Sequence, residues 1–486
     1  MSHASALQQL DASKGALSLI VTRIASRPAT VFIVLSLTFG LIILFANPPL
    51  RGPDEIAHFL RIYSYARGEL LPPSEINGRK GIFLGRDLYD QLYFLKNAGE
   101  RFARAEEQIR YGQIMAEYRN LAIAGTNALE QPPGFAPFAG TEGYSAVAYT
   151  PYIVAAVIGR ALRLDLVDML LLMRFFGLVA FTAVAAYAIS VSPAGKWAFV
   201  LIAMLPVSLY NRAVLSADGA ALSSALAITA LCLRAGYQPT AGRVWERSLW
   251  MTLCVLSKQP QIVFVLLELV VGQLKKKRPE PWSSLAIVAL PGLILSPVWV
   301  IAVSADIASW RLLEGRNYPP EYFDPLWKLS FMWQHPLHFP LAMWAAITGW
   351  AGRLWQELLG IAGWQDILLP NWTYIVLTAL LLLAPLQRMQ LSCAARARLT
   401  VITGLVVMSY IVLVYLIFFL TYTPIGLPHV QGVIGRYFVI VLPPAAICVA
   451  AMLNLELPRG APAAIAMIGS LLGGVATVEA VLRMHW

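Results

Sequence analysis

Long runs of apolar residues, separated by short polar or basic segments, dominate this sequence. The first run covers residues 30–46 and ends in a proline-rich turn. A helix needs about 20 mostly apolar residues to cross a bilayer, and fewer where it is broken or packed inside a bundle. We therefore predict an all-α integral membrane protein with about eleven transmembrane helices. The later spans are predicted at 166–191, 196–211, 214–234, 248–257, 260–273, 283–303, 371–386, 397–420, 434–453 and 461–482.

Two polar regions interrupt this pattern. Residues 48–149 hold 12 of the 27 acidic residues and include a predicted amphipathic helix over 100–122. We predict a large folded loop there, with helices that lie on the membrane surface. The segments 149–162 and 341–361 are shorter or interrupted by charge and glycine. We interpret both as surface-lying or re-entrant helices that do not fully cross the membrane.

The pattern divides the chain into four parts. Residues 1–29 form an N-terminal segment, and 30–303 form a membrane module that includes the first loop. Residues 304–370 form a second loop with a re-entrant or interfacial helix, and 371–486 form the C-terminal transmembrane helices.

Basic residues cluster in the short segments between spans, on one predicted face of the membrane. Cytoplasmic segments of membrane proteins carry such an excess of Lys and Arg. This places the N-terminus in the cytoplasm and the loops 48–149, 304–370 and 421–433 on the extracytoplasmic side. The basic residues concerned are Arg23, Arg27, Arg234, Arg243, Arg247, Lys275, Lys276, Lys277, Arg278, Arg388, Arg396 and Arg398.

Composition supports the membrane class. Of 486 residues, 58% are hydrophobic and 13% charged, whereas soluble domains carry about 25% charged residues. A soluble multidomain enzyme and a disordered chain are excluded. The net charge of +10 follows the orientation pattern, so we expect a lipid bilayer and no nucleic acid as partner. The four cysteines fit neither a disulfide framework nor a zinc site.

Ionisable residues beside membrane spans are costly, so each one is a candidate for function. Asp54 and Glu55 follow the first span at a predicted helix start, where the helix dipole favours carboxylates. His58 lies one turn beyond Asp54 on the same face. The alternative interpretation is a capped helix start with a solvated acidic pair.

Further candidates lie near the ends of later spans. Arg212 and Asp218 flank a helix junction, where they can also form a simple ion pair. Arg436 and Tyr437 begin an apolar span, and Lys258 lies at a turn between two short helices. The arginine and the lysine are each able to bind phosphate or to snorkel to the interface.

These motifs are predicted to converge on one face of the helical bundle. The cations there suit phosphate, and the carboxylates suit a general base or a metal ligand. The same chain carries an ordered set of short motifs spread over most of its length. They are Gly52-Pro53-Asp54-Glu55-Ile56-Ala57-His58-Phe59, Tyr149-Thr150-Pro151-Tyr152, Gly159-Arg160, Met173-Arg174-Phe175, Ser216-Ala217-Asp218, Leu256-Ser257-Lys258, Gly363-Trp364-Gln365-Asp366 and Gly435-Arg436-Tyr437-Phe438.

With these motifs the chain resembles a bacterial family of multispanning membrane proteins of unknown function. More distantly it is similar to the GT-C superfamily of glycosyltransferases, which use polyprenyl-phosphate sugars. That resemblance implies a GT-C-like fold in the bacterial cytoplasmic (inner) membrane, with the active site outside the cytoplasm. The acceptor would be an envelope glycan or glycolipid. Protein N-glycosylation is not expected, because the sequence lacks a Trp-Trp-Asp type motif.

The resemblance also implies roles for individual residues. Asp54, paired with Glu55, would be the catalytic general base of an inverting transfer. The phosphate of the polyprenyl-phosphate donor would lie near Arg436, Lys258 and Arg212. The remaining substrate-binding candidates are His58, Asp218 and Tyr437. A divalent cation such as Mg²⁺ or Mn²⁺ would be held by Asp54 and Asp218, while the metal question stays open.

Two other functions stay open from the sequence. A transporter or flippase of a lipid-linked saccharide would also use cations and carboxylates on an interior face. Transporters usually place such groups near the bilayer midplane within inverted repeats, and this chain has no evident repeat. A noncatalytic scaffold in an envelope-polysaccharide complex would tolerate substitution of the charged residues.

Overall fold

The structure is a computed structural model of the whole chain. It describes residues 26–71, 74–76, 79–103, 111–125, 134–238, 243–271, 274, 282–303, 320–458 and 460–486. Three predicted parts lie outside the described residues: most of the N-terminal segment 1–29, the basic cluster at 275–278 and the first part of the second loop, 304–319.

The described part of the chain is mainly helical, as predicted. Besides the α-helices, three segments form 3₁₀ helices, namely Gln259–Val270, Pro320–Phe323 and Gly435–Val441. The α-helices are α1 (Pro28–Ala46), α2 (Glu55–Ala66), α3 (Arg86–Ala103), α4 (Tyr111–Gly125), α5 (Ala146–Ala161), α6 (Leu166–Val191), α7 (Lys196–Ala203), α8 (Pro206–Ala213), α9 (Ala217–Tyr237), α10 (Val244–Ser257), α11 (Trp282–Val303), α12 (Pro325–Gln334), α13 (His338–Gly349), α14 (Ala351–Gly360), α15 (Asn371–Leu383), α16 (Cys393–Thr421), α17 (Leu442–Leu453) and α18 (Ala461–His485).

Within the described residues, seven helices are long and apolar enough to cross a membrane. They are α1, α6, α9, α11, α16, the continuous Gly435–Leu453 segment that includes α17, and α18. Shorter apolar helices cover Ala146–Ala161, Gln259–Val270 and Asn371–Leu383. These helices confirm the prediction of a multi-pass membrane protein.

Two predicted segments are divided in the structure. The predicted span 196–211 consists of α7 and α8, because Pro206 begins a new helix and cannot donate a backbone hydrogen bond. The predicted segment 341–361 consists of α13 and α14, with the break at Trp350. By contrast, the predicted segment 149–162 is one helix, α5, which packs along α6.

The large first loop contains a small antiparallel sheet that the hydropathy pattern did not predict. Strands β1 (Ser74–Ile76), β2 (Arg79–Leu84) and β3 (Gly134–Pro137) pair in that order. A second pair, β4 (Ile361–Ala362) and β5 (Ile367–Leu368), precedes α15. The amphipathic helix predicted over 100–122 corresponds to the end of α3 and most of α4, and its residues 104–110 lie outside the described part.

A buried ion pair joins the start of α2 to the middle of α6. Arg174 donates to both carboxylate oxygens of Glu55, at 2.7 and 2.6 Å, and both side chains are fully buried. Its guanidinium also donates to the backbone carbonyls of Leu44, Asn47 and Pro48. The chain that leaves α1 is therefore folded around Arg174.

Glu55 also accepts hydrogen bonds from two backbone N–H groups. Its carboxylate accepts the backbone N–H of Gly52 at 2.9 Å and that of Leu215 at 3.0 Å. The network fixes the residue that precedes Glu55, namely Asp54, against the start of α9.

Candidate active site

Four charged side chains from distant parts of the sequence form one cluster, here called the charge cluster. Nη2 of Arg436 donates to Oδ2 of Asp54 at 3.0 Å, although 382 positions separate the two residues. Nε of Arg436 lies 3.7 Å from Oδ2 of Asp218. Nζ of Lys258 donates to the other oxygen of Asp218. Two carboxylates thus alternate with two cations, and their formal charges balance.

Each member of the charge cluster comes from an interruption in the helical pattern. Asp54 precedes α2 in a left-handed conformation, with φ of 53°. Asp218 lies in the first turn of α9, where Ser216 caps the helix by accepting the Asp218 N–H at 3.0 Å. Lys258 separates α10 from the next 3₁₀ helix, and Arg436 lies at the start of another 3₁₀ helix.

The cluster lines a cavity of about 660 Å³, here called the charged cavity. The side chain of Asp54 is 49% exposed, whereas Arg436, Asp218 and Lys258 are exposed by 12%, 15% and 8%. Asp54 is therefore the carboxylate of the cluster that is most accessible to a ligand. Other residues around this cavity are His58, Thr141, Glu142, Tyr144, Trp364, Gln365, Phe418, Tyr422, Gly432 and Tyr437.

His58 lies in the wall of the charged cavity as a neutral imidazole. Its Nδ1 is 2.6 Å from the hydroxyl of Tyr149, and its ring is tilted against that of Tyr144. Burial lowers the pKa of His58 to about 4, against the opposing effect of the Asp54 and Asp218 carboxylates. This imidazole is therefore available for hydrogen bonding at neutral pH without adding charge.

Glu142 is a further carboxylate in this wall, on the loop between β3 and α5. Burial raises its pKa above the ordinary value for a glutamate. Its Oε2 accepts the backbone N–H of Gly140 at 2.9 Å. Burial likewise raises the pKa of the neighbouring Tyr144, which keeps its hydroxyl neutral.

An apolar cavity of about 430 Å³ adjoins the charged cavity. Lys258, Tyr144 and Tyr437 line both cavities. Nζ of Lys258 lies 4.8 Å from the centre of the Tyr437 ring, which is a cation–π distance. The rest of the apolar cavity is formed mainly by Val300 of α11, by the last turns of α16 and by the loop 140–143.

The structure brings together six of the eight predicted site residues and leaves out two. Asp54, His58, Asp218, Lys258, Arg436 and Tyr437 all line the charged cavity. Glu55 does not, because both of its oxygens are engaged by Arg174 and backbone N–H groups.

Arg212 is also absent from the wall of the cavity. Its guanidinium is buried against the ring of Phe32 at 5.3 Å and donates to Oγ of Ser36 at 3.2 Å. Its predicted pairing with Asp218 is not found, because Asp218 is bound by Lys258. Contrary to the prediction, Arg212 therefore does not lie where it could contact a phosphate in this cavity.

The carboxylates of the charge cluster do not fit a divalent cation. No group of three His, Cys, Asp or Glu side chains among the described residues could hold a metal ion. Mg²⁺ and Mn²⁺ need several oxygen ligands. Here the guanidinium of Arg436 contacts both Asp54 and Asp218, where a bridging cation would have to lie.

Some cavity residues were not predicted as site residues. Glu142 and Tyr144 lie in an irregular polar loop, where nothing in the local pattern separates them from their neighbours. Trp364 also lines the charged cavity, next to Gln365. A 2.5 Å ion pair between Arg51 and Asp366 holds their loop beside the start of α2. The available signal for Trp364 and Gln365 was that Gly363-Trp364-Gln365-Asp366 is one of the motifs that carry the family resemblance.

Comparisons with known proteins bear on the family alone. No curated protein and no solved structure matches the chain. A family model described as "Predicted membrane protein (DUF2142)" matches residues 37–444, which include every residue of the charge cluster. The chain therefore belongs to the DUF2142 family of membrane proteins.

Proposed function

We propose that this protein is a membrane glycosyltransferase of the GT-C type. It transfers a sugar from a polyprenyl-phosphate donor to an envelope glycan or lipid acceptor. The observation that carries the proposal is the charged cavity, in which Arg436 and Lys258 lie beside Asp54 and Asp218 and which adjoins an apolar cavity. A lipid-linked phosphate needs both environments side by side.

The donor binds with its phosphate at the two cations of the charge cluster. Arg436 supplies a planar fork of donors that matches phosphate oxygens, and Lys258 supplies a point charge. The first isoprene units lie in the adjoining apolar cavity. As the phosphate contacts Arg436, it replaces the carboxylate of Asp54 and frees that carboxylate to act on the acceptor.

The transfer step is a single displacement at the anomeric carbon. The acceptor hydroxyl forms a bond to that carbon from the face opposite the phosphate, and Asp54 takes the hydroxyl proton. The bond between the anomeric carbon and the phosphate oxygen breaks, and the electron pair leaves with the polyprenyl phosphate. Arg436 and Lys258 stabilise the charge that develops there, and the anomeric centre inverts.

The membrane arrangement belongs to the same proposal. We place the N-terminus in the cytoplasm and the charged cavity on the extracytoplasmic side of a bacterial inner membrane. The proposal keeps about eleven crossings, of which the seven long and three shorter apolar helices among the described residues would supply ten. The concentration of basic residues on the opposite face supports this orientation.

Transfer in liposomes tests the function directly. The purified protein is reconstituted with radiolabelled polyprenyl-phosphate hexoses and pentoses and a crude envelope-glycan acceptor. Wild type, Asp54→Asn and the control Asp90→Asn are compared. Asp90 is an exposed carboxylate of α3 whose partner is Arg86.

We expect label in the acceptor with wild type and with Asp90→Asn, and none with Asp54→Asn. Undiminished transfer by a folded Asp54→Asn protein contradicts the assignment of the base. Label that changes leaflet equally in all three proteins, with no transfer, identifies a flippase instead.

A further inference from the structure

A third cavity, of about 660 Å³, lies beside the charged cavity and has a different lining. We call it the Arg353 cavity. It lies between α14 and the segment 429–434, which joins α16 to the 3₁₀ helix of Arg436. Its lining residues include Trp350, Arg353, Glu357, Tyr415, His429 and Gln431.

The charges in the Arg353 cavity compensate each other. Nε of Arg353 donates to Oε1 of Glu357 at 3.0 Å, and Nη2 donates to the backbone carbonyl of Gln365 at 2.8 Å. The other carboxylate oxygen of Glu357 accepts the N–H of Gly435 at 2.6 Å. This cavity therefore presents planar donors and acceptors with no net charge from the Arg353–Glu357 pair.

Aromatic and aliphatic side chains form the rest of the lining, the aliphatic ones being Ala346, Leu354, Val430, Val433 and Ile434. Trp350 is 59% exposed, and Tyr415 lies deeper, at 1% exposure. A flat indole with a free face is suited to stacking against the C–H face of a pyranose ring. Amide, guanidinium and imidazole groups nearby suit the hydroxyl groups at the edge of such a ring.

The wall between the two cavities is thin. Gln365, Gly432 and Ile434 line both the charged cavity and the Arg353 cavity. Gly432 has φ of +82°, and a Cβ there would lie 2.8 Å from the Tyr422 ring, so only glycine fits without displacing that ring. The two cavities are therefore neighbours, with Gln365, Gly432 and Ile434 between them.

We propose that the Arg353 cavity binds a neutral oligosaccharide. The compensated Arg353–Glu357 pair gives no net attraction for an anion, and a lipid chain would offer no hydrogen-bond partners to the polar groups of Arg353, Glu357 and Gln365 in the wall. The oligosaccharide is recognised by stacking on Trp350 and by hydrogen bonds from Arg353 and Gln431. That this saccharide is the glycan acceptor rests on the proposed function. That it binds in the Arg353 cavity does not.

Saturation-transfer difference NMR tests the binding with protein in lipid nanodiscs and without any donor. The probes are maltotetraose, chitotetraose and mannotetraose. The variants are Trp350→Ala and the control Trp333→Ala, which removes another exposed tryptophan, on α12, outside the Arg353 cavity. Undecaprenyl phosphate is titrated in parallel as a probe of the charged cavity.

We expect at least one tetrasaccharide to bind wild type and Trp333→Ala equally. Trp350→Ala should bind it at least tenfold more weakly, with unchanged affinity for undecaprenyl phosphate. The proposal is overturned if none of the three saccharides binds, or if Trp350→Ala binds as wild type does. Saccharide binding by a protein that transfers no sugar would support this site while contradicting the proposed function.

Discussion

Asp54 combines a left-handed backbone conformation with the most exposed carboxylate of the charge cluster. Strained backbone positions are common at sites of chemistry, where the surrounding structure holds them in place. Here the neighbouring Glu55–Arg174 pair supplies that support. Ala139 and Gln365 also combine a positive φ with a place in the wall of the charged cavity, but Asp54 is the one of the three that carries a carboxylate.

The variant Asp54→Asn should separate binding from chemistry. Asparagine tolerates the left-handed conformation, so the fold is expected to persist. Transfer should fall by roughly 10²- to 10⁴-fold, the usual contribution of a general base. Affinity for undecaprenyl phosphate should be equal or higher, because Arg436 loses a competing carboxylate. Calorimetric titration of both proteins checks this, and a marked loss of affinity would contradict the proposed order of contacts.

His58 predicts how stability depends on pH. Its pKa is about 4 in the folded protein and 6.5 in an unfolded chain, chiefly because burial disfavours the imidazolium. Between these values the unfolded state binds a proton that the folded state does not, so stability falls as pH decreases from about 6.5 to about 4. The slope is on the order of 1 kcal/mol per pH unit. Asp54 and Asp218 oppose the shift, while Arg436 and Lys258 add to it.

Thermal unfolding in detergent between pH 4.5 and 7.5 measures this slope. His58→Gln should flatten it, whereas the exposed His335→Gln should follow wild type. Equal slopes for His58→Gln and wild type would show that another group causes the pH dependence.

Sequence reasoning identified the charged residues of the cluster because an ion beside an apolar run is conspicuous. It assigned Glu55 the wrong surroundings, since its partner Arg174 lies 119 positions away in the middle of an apolar span. The buried surroundings of Arg212 were missed for the same reason. Whether a polar residue faces a cavity or a buried partner depends on helix rotation, which an almost uniformly apolar sequence does not encode.

At the scale of elements, the Glu55–Arg174 pair should be a major determinant of stability. Glu55→Gln leaves a buried guanidinium without its counter-charge, and such losses cost about 3–5 kcal/mol. The temperature of half-unfolding in detergent should fall clearly. The exposed pair Arg86–Asp90 on α3, with side chains 41% and 43% exposed, provides the control, because Asp90→Asn should cost at most about 1 kcal/mol. Comparable effects of the two substitutions would contradict this assignment.

Gly435 sets the distance between α14 and the 3₁₀ helix that carries Arg436. A Cβ at this position would lie 1.8 Å from the backbone carbonyl oxygen of Leu354. Gly435→Ala should therefore push the two elements apart and destabilise the fold by about 1–3 kcal/mol. Gly349→Ala, where a Cβ meets nothing within 4 Å, should unfold at the wild-type temperature or slightly above. A wild-type unfolding temperature for Gly435→Ala would show that this contact is loose.

The long helices were predictable because hydropathy alone defines them, and α6, α11 and α18 lie close to their predicted bounds. The interruptions were harder to predict. Short 3₁₀ helices such as Gly435–Val441 and the small sheets depend on contacts with distant segments. These irregular places supply the cavity walls, so the site was less predictable than the spans.

At the scale of the whole molecule, the orientation can be measured with a thiol reagent that does not cross membranes. Cys393 is exposed and is the first residue of α16, in the basic stretch that also holds Arg388, Arg396 and Arg398. Asp90→Cys would place a thiol in the first loop, where the native side chain is 43% exposed. In intact spheroplasts the reagent should label Asp90→Cys but not Cys393, and inverted vesicles should give the reverse. The opposite pattern would place the charged cavity on the cytoplasmic side.

The balanced charges of the cluster have a consequence for which ions can enter the cavity. Asp54 and Asp218 are tethered competitors at Arg436 and Lys258, so a free anion has to displace a carboxylate that is already in place. Chloride or inorganic phosphate offers little beyond the charge that the carboxylates already supply. A phosphate on a hydrocarbon chain adds about 0.8 kcal/mol for each buried methylene group. We therefore expect a soluble phosphate to bind the charge cluster more weakly than a phosphate that carries a buried hydrocarbon chain.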